Sequence, residues 1–155
     1  MSTRAGHVAV MHGVNLDQLG HRDPLLYGTL TLAELETQIA HDAGELELEV
    51  SFFQTNHEGD FVEYLHSLRG GAADAILLNP GSWTHYAWAI RDALELTGLP
   101  ALEIHISDVE NREPFRRISV IRDLCFATIS GRGPLGYRDA LEQLRAELER
   151  RAAGA

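Results

Sequence analysis

The sequence predicts an α/β protein with a flavodoxin-like, doubly wound sheet of five parallel strands and helices on both faces. Short apolar runs rich in Val, Ile, Leu and Phe alternate with longer amphipathic patterns, which is typical of buried parallel strands joined by crossover helices. The runs number five, and several helical patterns stop at glycine, a common helix end. The length of 155 residues suits one domain spanning residues 1–155.

The five predicted strands are spaced so that a helix fits between most neighbours. They are "HVAVM" (7–11), "LEVSFF" (48–53), "DAILLN" (74–79), "PALEIHI" (100–106) and "LCFATI" (124–129). Ligands of such sheets bind beyond the carboxyl ends of the strands. We therefore expect one functional site at that edge.

Four helical patterns connect or follow the strands. In "TLAELETQIAHDAGEL", Thr31 and Glu34 are spaced as a capping box. "NHEGDFVEYLHSLRGG" places its aromatic residues and leucines on one face, and "SWTHYAWAIRDALELTG" is predicted to form a single helix. The last helix is predicted from Pro134 to about Arg151, with proline at its first position.

The composition excludes several classes of function. The net charge is −10, which argues against a nucleic-acid partner because phosphate contacts need a basic face. All 13 basic residues are arginine, so lysine imine chemistry, lysine-anchored pyridoxal phosphate and a standard P-loop are excluded. An anionic substrate would need a local cluster of arginines.

The sequence also predicts a cytoplasmic protein. No apolar run approaches the roughly 20 residues of a membrane span, and the start "MSTRAGHVAV" does not resemble a signal peptide. Cys125 is the only cysteine, so no internal disulfide can form.

Polar residues concentrate in four segments that follow predicted strands: "HGVNLDQLGHRDPLLYG", "QTNHEG", "NPGSWTHY" and "HISDVENREPFRR". Singly, each residue is typical of a cap, a turn or a solvated surface, but together they are expected to converge on one edge. The candidates are His12, Asn15, Arg22, Tyr27, Asn56, His57, Asn79, His85, His105, Ser107, Arg112 and Arg116.

Two patterns within these segments indicate chemistry. Glu103, His105 and Ser107 alternate, so they share one face of the fourth strand; the carboxylate could fix the tautomer of the histidine, or the three could simply form a polar strand end. Arg112 and Arg116 are four residues apart, so on a helical turn both could bind an anion.

Other chemistries lack their motifs. The eight histidines show neither an HxH nor an HExxH spacing, and a chain with one cysteine has no paired-cysteine motif. No metal site is therefore expected. "GRGPLG" (131–136) matches a dinucleotide fingerprint, but only 19 residues follow it, too few for the later acidic strand. No Gly-x-Ser-x-Gly elbow is present. Acid–base chemistry on a small polar anion remains, without metal, cofactor or lysine.

Five ordered blocks then give a specific resemblance over nearly the whole chain. They are "GVNLDQLGHRDPLLYG", "QTNHEGDFVEYLH", "LLNPGSWTHYAWAIRDAL", "LEIHISDVENREPFR" and "GPLGY". The chain resembles the type II 3-dehydroquinate dehydratases of the shikimate pathway. The resemblance implies a flavodoxin-like fold, no cofactor, elimination of water from 3-dehydroquinate to 3-dehydroshikimate, and a homo-oligomer, generally a dodecamer built as a tetramer of trimers.

The resemblance also implies catalytic roles. Tyr27 corresponds to the base that removes the proton next to the ketone, and Arg22 to its activator on a mobile lid. Asn15 corresponds to the residue that holds an enolate-stabilising water, and His105, oriented by Glu103, to the general acid. A free phenol with a pKa near 10 is only about 0.1% ionised at neutral pH, and a nearby cation lowers such a pKa by roughly 1–3 units. The resemblance implies that "LGHRDPLLYG" is a lid that carries both the base and its activating cation, with hinges near its two glycines.

Further positions correspond to substrate-binding residues. Asn79, with the backbone N–H groups of Ile106 and Ser107, is implied to bind the substrate carboxylate. His85 and Arg116 are implied to hold the ring hydroxyls.

Two more positions complete the implied site. Arg112 is implied to lie near the ring-binding residues. Asp92 is implied to reach into the site of a neighbouring subunit of the trimer.

The sequence departs from the family pattern in the loops. His12 and Val14 replace the usual asparagine and proline, Asp108 replaces an asparagine, and "ISV" from Ile118 replaces "HSY". These changes leave open a secondary-metabolism paralogue that dehydrates an amino analogue of dehydroquinate. A catalytically silent scaffold member is the other alternative, although the catalytic set is intact. Whether the pathway is biosynthetic or quinate-degrading is also open.

Overall fold

The computed structural model describes residues 5–154, which form one five-stranded parallel sheet in the order β2-β1-β3-β4-β5. The strands are β1 (Gly6–His12), β2 (Leu48–Gln54), β3 (Ala75–Asn79), β4 (Ala101–His105) and β5 (Ala127–Ser130). This is the flavodoxin-like, doubly wound order. The predicted fold class is confirmed.

Five α-helices accompany the sheet in the described residues. They are α1 (Pro24–Tyr27), α2 (Leu32–Glu45), α3 (Glu58–Ser67), α4 (Trp88–Thr97) and α5 (Gly136–Ala153). The capping box begins α2 as predicted, since the Glu34 N–H donates to Thr31 Oγ1 at 3.2 Å and the Thr31 N–H donates back to Glu34 Oε1.

The alternation within β1 divides the core between two helical layers. Val8 and Val10 belong to the cluster that contains side chains of α2 and α5. Ala9 and Met11 belong to a second cluster with side chains of α3 and α4. All four are buried, because successive side chains of a strand point to opposite faces of the sheet. The predicted helices on both faces are confirmed.

Two predicted elements are wrong in their bounds. The helix predicted from 82 to 98 divides into a 3₁₀ turn (Gly81–His85) and α4, because the Thr84 carbonyl accepts from Val120 N–H at 2.8 Å instead of continuing a helical ladder. The fifth strand begins at Ala127 rather than 124, because the apolar residues before it follow a 3₁₀ turn (Arg122–Leu124).

The carboxyl-terminal region follows the sequence prediction closely. "GRGPLG" forms a turn in which Pro134 lies in a 3₁₀ segment (Gly133–Leu135) directly before α5. Within residues 5–154, no helix combines the length and the apolar character needed to span a membrane.

Candidate active site

A small cavity opens at the carboxyl ends of the strands and encloses about 150 Å³. It is smaller than typical drug-sized pockets of about 300–1,000 Å³, so it suits a single-ring ligand. Among the described residues its lining contains three arginines and two histidines but no carboxylate side chain. The lining residues are Val14, Asn15, Leu16, Arg22, Tyr27, Asn79, Gly81, Ser82, His85, His105, Ile106, Ser107, Val109, Arg112 and Arg116.

Two guanidinium groups converge on the hydroxyl of Tyr27. Arg22 Nη2 donates to it at 2.8 Å and Arg112 Nη1 at 2.7 Å, and Arg22 also lies over the ring, with Cζ 3.7 Å from its centroid. Both donors are cationic, so two charge-assisted hydrogen bonds meet at one hydroxyl oxygen. Arg112 Nη1 additionally donates to Ser107 Oγ at 3.1 Å, which links the tyrosine to the end of β4.

The positive charges in this cavity are crowded. Burial lowers the pKa of Arg22, and the guanidinium groups of Arg112 and Arg116 lower it further, whereas Tyr27 opposes the shift. Like charges in a partly desolvated cleft repel each other. An anion within the cavity, whether a substrate carboxylate or the phenolate, would relieve that repulsion.

Tyr27 and Arg22 lie on a segment bounded by two glycines with positive φ, Gly20 at 92° and Gly28 at 71°. Side-chain-bearing residues rarely adopt these conformations. Between the glycines, Asp23 caps α1 by accepting from the Leu25 N–H at 3.0 Å. The segment is therefore a short ordered unit with a glycine at each end.

His105 is held by a buried carboxylate. Its Nε2 lies 2.6 Å from Glu103 Oε2, and Glu103 is completely buried. Thr84 Oγ1 donates to the same oxygen at 2.6 Å, and Ser119 Oγ donates to Oε1 at 2.8 Å. Burial alone would raise the pKa of Glu103, but the hydrogen bonds from these three partners and the charge of His105 lower it below its ordinary value. The carboxylate stays ionised and fixes the ring of His105.

We expect Thr84→Val to lower the free energy of unfolding by about 1.5–3 kcal/mol at neutral pH, because it removes a buried hydrogen bond to a charged group. The pKa of Glu103 is depressed by folding, so the stabilisation is present above the unfolded value and is lost as pH falls through the folded value. The difference between variant and wild type should therefore shrink in acid. Urea titrations across acidic pH measure this.

The control for that variant is Thr37→Val, which removes an exposed hydroxyl that bonds only the Ala33 carbonyl within α2. Its effect should stay small at every pH. A Thr84→Val loss that does not change with pH would contradict a charged Glu103.

His85 can accept a hydrogen bond from a ligand through Nε2. Its Nδ1 lies 2.7 Å from the Ile118 carbonyl, so Nδ1 carries the proton and Nε2 remains an acceptor. Burial is the main cause that lowers the pKa of His85, with contributions from His105 and Arg116. Its ring also meets Phe115 edge to face at 5.6 Å. Neutral His85 beside cationic Arg116 can bind ligand hydroxyl groups.

The loops that present the remaining polar groups are held by backbone hydrogen bonds. Asn15 has a left-handed backbone, with φ of 68°, and its N–H donates to Asn56 Oδ1 at 2.8 Å. The carbonyls of Ile106 and Ser107 accept from the N–H groups of Gly133 and Gly131, both at 3.1 Å. In a trans peptide the N–H points opposite to the carbonyl, so the Ser107 N–H points away from Gly133.

Comparison with known proteins assigns the family. The model for "Dehydroquinase class II" matches residues 6–145. This chain belongs to the class II dehydroquinase family. It is 45% identical over 146 residues to "3-dehydroquinate dehydratase 2" of Pseudomonas putida, covering 94% of this chain and 97% of that protein. It superposes on the type II dehydroquinase of Propionibacterium acnes with a TM-score of 0.87 at 36% identity, covering 94% of this chain and 99% of the other.

A second solved structure agrees with this assignment. The type II dehydroquinase of Butyrivibrio crossotus superposes with a TM-score of 0.88 at 36% identity over 92% of this chain and 99% of that one. The resemblance read from the five sequence blocks is confirmed.

Within this fold, most of the residues predicted for the site line the cavity, and five do not. His12 is wrongly placed by the sequence argument: it is fully buried against Tyr137, because its side chain takes the core-facing side of β1. Asn56 holds the Asn15 backbone from outside the lining, and His57 precedes α3. Asp92 lies exposed on α4. Glu103 supports His105 from beneath the cavity.

The two hydroxyl groups that support Glu103 could not be predicted from the sequence. Thr84 lies in "NPGSWTHY" and Ser119 in "ISV", where the sequence departs from the family pattern, and neither belongs to a motif that predicts its bond to Glu103. At one of the four departures from the family pattern, Ile118, the backbone carbonyl accepts from His85 Nδ1, so this contact does not depend on the side chain at that position. Of the four, only Val14 lines the cavity.

A possible metal cluster lies away from the cavity lining. In residues 5–154, three adjacent potential ligands occur together only on α2, at His41, Asp42 and Glu45. Arg138 donates to both carboxylates, at 3.3 and 3.0 Å. These groups form an ordinary surface ion-pair network on this dehydroquinase.

Proposed function

We propose that this chain is a 3-dehydroquinate dehydratase that eliminates water through an enolate, with Tyr27 as the base and His105 as the general acid. The observation that carries the proposal is the pair of guanidinium groups on the Tyr27 hydroxyl, in a cavity shared with the His105–Glu103 pair. A cation-stabilised phenolate supplies a base without lysine, metal or cofactor. The family assignment and the 45% identity to a 3-dehydroquinate dehydratase support the same substrate.

The reaction proceeds in two steps. Tyr27 phenolate takes the proton from the carbon next to the ketone, and the electron pair of that C–H bond forms the enolate. Asn15 positions a water that stabilises the enolate oxygen. The enolate then re-forms the ketone, the carbon–oxygen bond of the hydroxyl breaks, and His105 protonates the departing oxygen so that it leaves as water.

Substrate binding uses the remaining cavity groups. Asn79 and the backbone N–H groups of Ile106 and Ser107 receive the carboxylate at the ends of β3 and β4. His85 and Arg116 hold ring hydroxyls, and Arg112 links the ring site to Tyr27. We place the reaction in the cytoplasm, where a free thiol such as that of Cys125 stays reduced.

The direct test is near-ultraviolet absorbance after 3-dehydroquinate is added, because the product is a conjugated enone. We expect a steady rise that survives borohydride treatment, since the chain has no lysine to form an imine. No turnover by wild-type protein would contradict the proposal and favour the scaffold alternative.

The same assay with the amino analogue separates the two candidate substrates. Three arginines and no carboxylate of the same chain line the cavity in the described residues, so an added ammonium group would lie among three positive charges that a single carboxylate from a neighbouring subunit does not balance. We expect the specificity constant for 3-dehydroquinate to be higher by about tenfold or more, equivalent to about 1.4 kcal/mol. A preference for the amino compound would overturn the assignment of the natural substrate.

Assembly as trimers, and most simply as a dodecamer, is part of the proposal. α4 exposes Trp88, Asp92 and Leu96 at four-residue spacing, with Trp88 64% and Leu96 58% accessible in the single chain. Such a stripe on one helical face is suited to burial against another subunit. Asp92 at its centre would then add a carboxylate to the neighbouring cavity.

We expect mixing of two inactive variants to restore activity if Asp92 acts across the interface. Asp92→Ala and Tyr27→Phe chains, unfolded and refolded together, would form hybrid trimers in which some sites have both native residues. Activity should then exceed that of either variant refolded alone. If the mixed chains refold to oligomers that sediment like wild type but recover no activity, Asp92 does not act in the site of a neighbouring subunit. A fully active monomer would remove Asp92 from the site.

A further inference from the structure

The loop that carries Asn15 is held by two amide side chains, one at the end of β2 and one just after it. Asn56 Oδ1 accepts from the Asn15 N–H at 2.8 Å, and Asn56 Nδ2 donates to Asp17 Oδ2 at 3.0 Å. Gln54 Nε2 donates to the Gly13 carbonyl at 3.2 Å and to Asn56 Oδ1 at 3.3 Å. The loop is therefore attached before, at and after Asn15.

The partners of Asn56 fix the orientation of its amide. A backbone N–H can only donate a hydrogen bond, and a carboxylate can only accept one. Oδ1 must therefore face Asn15, and Nδ2 must face Asp17. A rotated amide would place donor against donor at one end and acceptor against acceptor at the other. Position 56 thus requires one donor and one acceptor in a fixed arrangement.

The backbone of Asn15 needs an external partner. Its φ of 68° lies in the left-handed region, which side-chain-bearing residues adopt at a cost and which asparagine tolerates better than most. Asn15 also precedes the 3₁₀ turn Leu16–Gln18, and an N–H at the start of such a turn has no acceptor within it. Asn56 supplies that acceptor. The bond fixes the peptide before Asn15, and with it the direction in which the Asn15 side chain leaves the backbone toward the cavity that it lines.

We propose that Asn56 is a positioning residue that, through the Asn15 N–H and the Asp17 carboxylate, fixes the direction of the Asn15 side chain at the cavity. This role rests on the proposed function, in which Asn15 positions the water that stabilises the enolate oxygen. Asn56 itself lies outside the cavity lining, and other residues receive the substrate carboxylate and ring hydroxyls. Loss of these two hydrogen bonds therefore slows the step through the enolate and leaves substrate binding largely intact.

The test begins with Asn56→Asp. This variant keeps an acceptor for the Asn15 N–H but replaces the donor by an oxygen that faces the Asp17 carboxylate, so the two groups repel each other. We expect kcat for 3-dehydroquinate to fall by about 10- to 100-fold, the scale on which a misplacement of about 1 Å lowers a rate. KM should stay within about twofold of wild type, because the groups that bind the substrate are unaltered.

The rescue variant combines Asn56→Asp with Asp17→Asn. The amide now at position 17 can donate to the carboxylate now at position 56, whose other oxygen accepts from the Asn15 N–H. The exchange restores both hydrogen bonds with the same atoms in nearly the same places, so kcat should return to within about threefold of wild type. Asp17→Asn alone should stay in that range, because its amide oxygen can still accept from Asn56 Nδ2.

The matched control is Gln143→Glu. It makes the same change from amide to carboxylate on α5, where Gln143 is exposed and lies in one surface groove with Asp139 and Glu142. Since none of these residues lines the cavity, kcat and KM should not change. If Asn56→Asp or the rescue variant does not fold, Asn56→Ala decides, because it removes the same bonds without adding charge; it should lower kcat and leave KM unchanged.

The outcomes separate this positioning role from the function. Unchanged kcat in folded Asn56→Asp or Asn56→Ala, no recovery in the folded rescue variant, or a rise in KM alone would overturn the role while the dehydratase assignment stands. Absent turnover by wild type would refute the function instead. In that case amide hydrogen exchange still decides: the Asn15 N–H should exchange about tenfold or more slowly in wild type than in Asn56→Ala, and equal rates would overturn the role.

Discussion

Tyr27→Phe is expected to lower kcat for 3-dehydroquinate by about 10³-fold, near the middle of the range for loss of a general base. Only one oxygen is removed, and the ring that Arg22 lies over remains. Arg22 and Arg112 lose their common acceptor but keep their charge, so the anionic substrate should still bind. Steady-state rates and the dissociation constant from calorimetry measure the two effects separately.

Tyr64→Phe is the matched control for this variant. Tyr64 stacks on Phe53 at 4.1 Å outside the cavity, so the loss of its hydroxyl should leave kcat unchanged. Near-normal turnover by Tyr27→Phe would show that another group is the base, and the glycine-bounded segment would then be a cover for the cavity only.

The edge of the sheet that holds the cavity could be predicted, because strand alternation is a local property of the sequence and the carboxyl ends of parallel strands meet at one edge. Asn15, Asn79 and His105 each follow or end an apolar strand, and the parallel order brings those ends together. Periodicity also placed Glu103 on the same face as His105. It does not tell how deep a side chain lies, and Glu103 is completely buried beneath His105 rather than exposed in the cavity.

The supporting contacts could not be predicted because they join residues with no periodic relation. Ser119 is 16 residues from Glu103 and Tyr137 is 125 residues from His12, and both pairs form only after loops and helices pack on the sheet. His12 shows the limit clearly. Its position in a strand-end motif suggested the cavity, whereas the neighbouring α5 supplies Tyr137 and draws the ring into the core.

The side chains that line the cavity are positively charged, whereas the net charge of the chain is negative. The chain carries −10 overall, yet Arg22, Arg112 and Arg116 line one small cavity without a carboxylate side chain among the described residues. Within a distance shorter than the Debye length of about 8 Å, the local cluster dominates an approaching anion. Total charge is therefore a poor guide to the substrate.

The second large effect is expected for His105→Gln, which keeps a polar side chain beside Glu103 but cannot act as an acid near neutral pH. We expect kcat to fall by about 10²–10⁴-fold. Tyr27 and its two arginines are unaltered, so the enolate should still form and return to substrate. In D₂O, recovered 3-dehydroquinate should therefore contain deuterium next to the ketone at a rate well above that without enzyme.

This isotope exchange distinguishes the roles proposed for Tyr27 and His105. Tyr27→Phe should abolish exchange and turnover together, because no proton is removed. His105→Gln should abolish turnover alone, because the hydroxyl cannot leave as water once the proton donor is gone. If His105→Gln also stops exchange, His105 takes part in proton abstraction, and the assignment of separate base and acid to the two ends of the cavity is wrong.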